Sequence, residues 1–238
     1  MTESAGGREA WGIAPAVEEL ARLILVEESP GSVLERLIEL VKQVIPAGAA
    51  ASITVVHKKA TTAAFTGKLA LRLDEAQYRD GHGPCMDAAL SGQFMEITDG
   101  RIEDRWPDYI PTFLRLGALS SLAVPVPAVQ AAASLNVYST LAGAFSDQDR
   151  QAATEIATYA GVALANIYAL QDAREQTEQM RTAMASRAAI EQAKGILVER
   201  YKISPEQAFR LLAETSTRSN RRVRDLAEHL VRTGELQA

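Results

Sequence analysis

From Ser146 to Ser204 the chain contains no proline, and that run constrains its architecture more than any other feature. Proline inside a helix removes a backbone hydrogen bond and clashes with the preceding turn, so a long stretch without it is free to stay helical. Ile156, Ala160, Ala163, Ile167 and Leu170 recur there at alternating steps of four and three, the spacing of an a/d seam. The pattern fades over Gln171 to Gln179, which is polar throughout, and resumes weakly at Met180 and Met184. Two architectures fit. One is a long helix leaving a first domain as a semi-rigid connector; the other is a helix covering a sheet, followed by a solvated linker. A seam shared with a second copy predicts a homodimer joined along about Gln148 to Met184.

Ahead of this run the periodicity is mixed. Residues 1–14 are rich in Gly, Ser and Ala and read as a disordered tail. Residues 16–28 place Val17, Leu20, Leu23 and Ile24 at helical spacing. Ser32 with Glu35 reads as a capping box opening a second helix, which Pro46 and Gly48 end. Ala49 to Val56 and Ala60 to Thr66 flank a Lys58-Lys59 turn and read as a hairpin. Residues 68–92 hold a Gly-rich break, GHGPC, with a short helix starting at Pro84. Gln93 to Thr98 reads as a strand, then comes a loop containing RWPDYIP, then a strand pair at Leu119 to Val126 and Ala133 to Thr140. Strands and helices interleave without regular alternation, which predicts an α+β fold with an antiparallel sheet flanked by helices.

The C-terminal end reads as an all-α module of three helices. The first spans about Arg187 to Arg200, with Ile190, Ala193 and Leu197 on one face. Ser204-Pro205-Glu206-Gln207 supplies an N-cap, a proline at the first helical position and a glutamine at the third. The second helix is expected to bury Ala208, Phe209 and Leu212. The third begins near Asn220, carries Val223, Leu226, Ala227, Leu230 and Val231 on one face, and ends at Gly234.

Composition removes several function classes. A single cysteine, Cys85, excludes an intramolecular disulfide and a Cys-only metal site, and the three histidines show no ligand spacing. The N-terminus lacks the basic start and apolar core of a signal peptide, and the most apolar helical run, Ala160 to Leu170, is too short to span a bilayer. A cytoplasmic location without a membrane is therefore expected. No Ser-His-Asp order, phosphate loop or carboxylate-pair motif is present. Residues 187–238 carry ten Lys and Arg against seven Asp and Glu, +3, while the remainder is −8. Such asymmetry fits a module with an anionic partner, although +3 is modest.

The positive charge concentrates at Arg218, Arg221, Arg222 and Arg224, where the third helix begins. A helix N-terminus has free N–H groups and partial positive charge, so arginines there build an anion site. Guanidinium groups fork onto phosphates and stack on unpaired bases, as RNA loop recognition requires. The plainer alternative is a solvated face paired with Asp225 and Glu228. Gly195, inside the first helix, costs roughly 1 kcal/mol relative to alanine. Either tight helix packing or close approach by RNA would account for it. Helix-turn-helix DNA binding fits less well, because the short Gly-containing turn is missing.

The stretch AIEQAKGILVERYKISPEQAFRLLAETSTRSNRRVRDLAEHLV resembles an ANTAR domain, a type named for transcription antitermination regulators. Ala193-Lys194-Gly195-Ile196-Leu197, Ile203-Ser204, Ala208-Phe209, Leu212 and Asn220-Arg221-Arg222 carry the likeness; Val198 and Lys202 stand where Met and Gly are common. The resemblance implies an RNA-binding module, about residues 187–236, that holds paired stem-loops in nascent transcripts and so prevents a terminator from forming. Its implied contacts are Lys194, Gly195, Arg218, Asn220, Arg221, Arg222 and Arg224.

Residues 15–170 resemble a GAF domain, of the kind that precedes ANTAR modules in actinobacterial regulators, with 171–186 as a helical linker. Gly83-Pro84-Cys85, Arg105-Trp106-Pro107, Val124-Pro125-Val126, Leu135 to Ser139 and Ala144-Phe145 carry this likeness. It implies a sensory domain with a small-molecule effector of unknown identity, and a pocket including Cys85, Trp106 and Tyr138. No cofactor is implied. Cys85 follows a flexible loop beside a helix N-terminus, a setting that lowers a thiol pKa, and His82 stands three residues before it. That leaves a redox enzyme or redox sensor as the competing reading, against a buried cysteine serving as a small hydrophobe.

Overall fold

The computed structural model describes residues 30–236 apart from Pro46, Ala49 and Val129. The tail and the helix expected over 16–28 lie outside the described residues. The chain divides into two compact units, with the boundary between Ala169 and Leu170.

The first unit contains α1 (Pro30–Val44), β1 (Ala50–Val56), β2 (Ala60–Phe65), α2 (Gly67–Asp80), α3 (Pro84–Ser91), β3 (Met95–Ile97), α4 (Ile110–Arg115), β4 (Ser120–Val126) and β5 (Ala132–Ser139). The strands form one antiparallel sheet in the order β2-β1-β5-β4-β3. The expected α+β class and both strand pairs are present. Helix α1 begins at Pro30, so Ser32 lies in its first turn rather than capping it. Helices α2 and α4 stand where the sequence patterns single out only a Gly-rich break and a proline-containing loop.

The two faces of the sheet differ because its strands alternate. Ile53, Val55, Leu122, Val124, Leu135 and Val137 share one core with Leu34, Leu37, Ile38 and Val41 of α1. Ser52, Thr54, Ser134 and Asn136 alternate with them and are equally buried, beneath α2 and α3. This second face is thus polar yet closed to solvent.

Helix α5 (Asp147–Tyr201) is continuous for 55 residues, which settles the choice between connector and broken linker in favour of one helix. The expected seam is corrected by its surroundings. Ile156, Ala160 and Ala163 are buried in the first unit's own core and Ile167 packs against it; Leu170 alone of the five is exposed. A helix lying on a sheet needs the same recurrence of apolar residues as a helix lying on a helix, so the spacing could not distinguish them.

The second unit adds α6 (Pro205–Ser219) and α7 (Val223–Thr233) to the last turns of α5. Ala193, Leu197, Ala208, Leu212, Ala227 and Leu230 form its core. The Ser204–Gln207 capping box is formed in both directions. Phe209 does not join the core and is 46% exposed. Asn220 does not begin α7; it caps the C-terminus of α6 in the left-handed conformation, φ 52°, and α7 starts at Val223. Lys202 is also left-handed, φ 54°, in the turn after α5. That position is where the ANTAR pattern commonly has glycine, which adopts this conformation without a Cβ clash.

Candidate functional site

The polar face of the sheet carries a closed hydrogen-bond network. Asp74 sits on the buried stripe of α2 with Ala70, Leu73 and Gln77. Its Oδ1 accepts from the Tyr138 hydroxyl at 2.6 Å and from Ser52 at 3.0 Å, and its Oδ2 accepts from Thr62 at 2.9 Å. Asn136 Nδ2 donates to Thr54 and Ser52, and Gln77 Nε2 lies 3.3 Å from both Tyr109 and Tyr138 hydroxyls. Burial raises the Asp74 carboxyl to about 6 against the opposing pull of these hydrogen bonds.

Cys85 lies inside this network. Its N–H donates to Gln77 Oε1 at 2.8 Å and its carbonyl accepts from Ser134. The thiol is fully buried, and burial first, then the Asp74 charge, push it well above its ordinary value. The expected lowering by the helix N-terminus is therefore overturned, because desolvation dominates. His82 is exposed. Tyr138 is buried too.

Trp106 shares one buried cluster with Tyr109 and Tyr138. It lines a surface cavity of about 270 Å³ with Asp80, His82, Asp87, Arg105, Pro107, Asp108 and Tyr109. Its Nε1–H donates to Asp87 at 2.7 Å, and the Arg105 guanidinium stacks 4.4 Å from the ring centre. Of the three residues of the expected pocket, Trp106 borders this cavity, while Cys85 and Tyr138 take part in the interior hydrogen-bond network. The signal for the interior was present in the sequence, as Ser, Thr and Asn alternating with aliphatics in strands and as Asp74 in phase with a helix's apolar stripe.

In the second unit, Arg218, Arg221 and Arg222 are exposed, and among the described residues none has a carboxylate partner. Arg222 is itself the N-cap of α7, which has no side-chain cap. Ser216 ties the turn: its backbone carbonyl accepts from the Arg221 N–H, and its hydroxyl donates to the Arg221 carbonyl. Arg224 is paired instead with Asp225 and Glu228, at 3.4 and 3.6 Å. Lys194 is paired with Glu191 at 3.0 Å and acts on Glu206, at the opposite end of α6 from Asn220. A helix of fifteen residues spans about 22 Å, so Lys194 and the arginines do not form one cluster. Gly195 is exposed, and a Cβ added to it would meet nothing within 4 Å. Packing among the described residues therefore does not explain it.

The first unit is a helix-flanked antiparallel sheet and the second a small helical module with a basic turn before its last helix. The chain belongs to the GAF domain family, which matches residues 27–165, and it carries an ANTAR domain over residues 178–231. No curated protein matches it. Among solved structures, it resembles the free methionine-R-sulfoxide reductase of Neisseria meningitidis in complex with its substrate, at 16% identity and a TM-score of 0.51, covering 73% of this chain and 98% of that one. The GAF domain of a phosphoenolpyruvate-protein phosphotransferase from Coxiella burnetii is 12% identical, with a TM-score of 0.51 over 69% of this chain and 99% of that one. The phycocyanobilin-bound GAF domain of a cyanobacterial phytochrome is 13% identical, with a TM-score of 0.51 over 67% and 97%. At these identities the likeness is one of fold. No helix of the described residues is long and apolar enough to cross a membrane.

Proposed function

We propose that this chain is a cytoplasmic transcription antiterminator: residues 187–236 hold paired stem-loops in nascent RNA, residues 15–170 form the sensory domain that governs them, and 171–186 link the two. The observation that carries this reading is the bare α7 N-terminus beside Arg218, Arg221 and Arg222, inside an ANTAR domain. Asn220 bends the chain so that the two adjacent arginines follow the turn directly. Arg224, Lys194 and Gly195 complete the proposed contacts, the first two after leaving their carboxylate partners. The effector's entry is the Trp106 cavity. A homodimer would present two RNA modules to two adjacent loops, gaining effective concentration. The exposed stripe Leu170, Ala173, Thr177, Met180 and Met184, at steps of three and four, supports pairing through α5.

The test is binding to a two-stem-loop RNA over a salt series. Each phosphate left without its arginine should make the log–log slope shallower by roughly 0.7 to 0.9. Arg218→Ala, Arg221→Ala and Arg222→Ala together should weaken binding and flatten the slope, while terminator read-through in a purified transcription reaction falls in parallel. A folded triple variant that binds as wild type refutes the assignment.

A further inference from the structure

Among the described residues, the carboxylate at the centre of the polar face has no cation to balance it. Asp74 is fully buried and is held by Ser52 of β1, Thr62 of β2 and Tyr138 of β5. The ionisable groups facing it are Tyr78 on its own helix, Cys85 on α3, Tyr138 on β5 and Tyr109 ahead of α4, and burial first, then the Asp74 charge among other causes, pushes every one of them upward. β1 and β2 contribute only hydroxyls. The other charged residues of α2, namely Lys68, Arg72, Glu75, Arg79 and Asp80, are exposed. Asp74 is therefore the one member of the cluster whose charge can change near neutral pH.

We propose that Asp74 is a proton-binding site that sets how firmly α2 closes on the sheet: a proton taken up in mild acid holds the helix down, and its loss toward alkaline pH lets the helix part. The closed carboxyl titrates at about 6, whereas a solvated one titrates at 3.8. The closed state holds its proton more tightly, so opening becomes easier as pH rises through that window. Both protonation states can be accommodated, because each hydroxyl around Asp74 can donate to a carboxylate or turn to accept from a carboxylic acid. Backbone N–H groups in the same places could not reverse. The inference does not depend on RNA binding by the other module.

Cys85 provides the readout. It is the chain's only cysteine, its sulfur is buried, and its N–H is held by Gln77, one turn beyond Asp74. Labelling by a disulfide reagent such as DTNB requires the helices to part from the sheet. The full chain is labelled across the pH range, and each rate is divided by that of an unstructured peptide carrying the same cysteine, which removes the thiolate's own titration. The resulting opening ratio should rise roughly tenfold between about pH 5 and 8 in the wild type. It should stay flat in Asp74→Asn. As a measurement independent of that variant's folding, carbon-13 NMR of labelled aspartates in the wild type should show one carboxyl titrating near 6. A flat wild-type ratio, an equal rise in Asp74→Asn, or aspartates that all titrate in the ordinary carboxylate range would overturn the proposal.

Discussion

Helix α5 contains two glycines whose surroundings are opposite, and replacing each by alanine tests how far the geometry governs stability. At Gly161 an added Cβ would lie 2.5 Å from the carbonyl oxygen of Pro127. That neighbour is backbone, so the helix or the β4–β5 connection must shift. Overpacking of this kind costs about 1–3 kcal/mol, against a helix-propensity gain of roughly 1 kcal/mol. Gly161→Ala should therefore be neutral at best and destabilising by up to about 2 kcal/mol. At Gly195 the Cβ meets nothing within 4 Å and the residue is exposed. Gly195→Ala should gain the propensity term in full, close to 1 kcal/mol, through a less flexible unfolded chain and a better helix. Denaturant titration followed by circular dichroism measures both variants on the same footing. RNA affinity of Gly195→Ala is measured beside it: a more stable protein that binds RNA less tightly identifies the glycine as a place of close approach. Loss of stability in Gly195→Ala, or a clear gain in Gly161→Ala, would refute the geometric reasoning. Unchanged RNA affinity would remove Gly195 from the interface.

Two further outcomes follow from the packing. Lys202→Gly should stabilise the second unit by about 1 kcal/mol, because Lys202 holds a left-handed conformation that disfavours any side chain; thermal unfolding reads this directly, and a lowered midpoint contradicts it. Ile167→Asp should destabilise the first unit by about 2 kcal/mol or more, since Ile167 packs on that unit's own core; light scattering that shows dissociation without loss of thermal stability would restore the seam reading.

Much of the local structure was legible in the sequence because its causes are local. The proline-free run from Ser146 is one helix, since nothing within it interrupts backbone hydrogen bonding. Ser204 and Gln207 cap α6 as their spacing requires, and the interleaved strand patterns form an antiparallel sheet. The ANTAR and GAF likenesses, carried by short ordered motifs, hold over matched ranges of the chain. Tertiary structure decided what those elements face. The Ile156 to Ile167 stripe could have met a second helix or the sheet, because both demand the same period. The Cys85 thiol sits where local geometry favours the thiolate, yet burial, with Asp74 of α2 beside it, reverses the balance. Asp74, Asn136 and Ser52 meet across separations of up to 84 residues, a juxtaposition no local pattern encodes. Lys194 and the Arg221 turn, 27 positions apart, are joined as RNA contacts by the ANTAR resemblance and are kept apart by the rigid length of α6. Helix length and capping depend on neighbours within a few residues; which groups lose water and which share a surface depends on the whole chain closing around them.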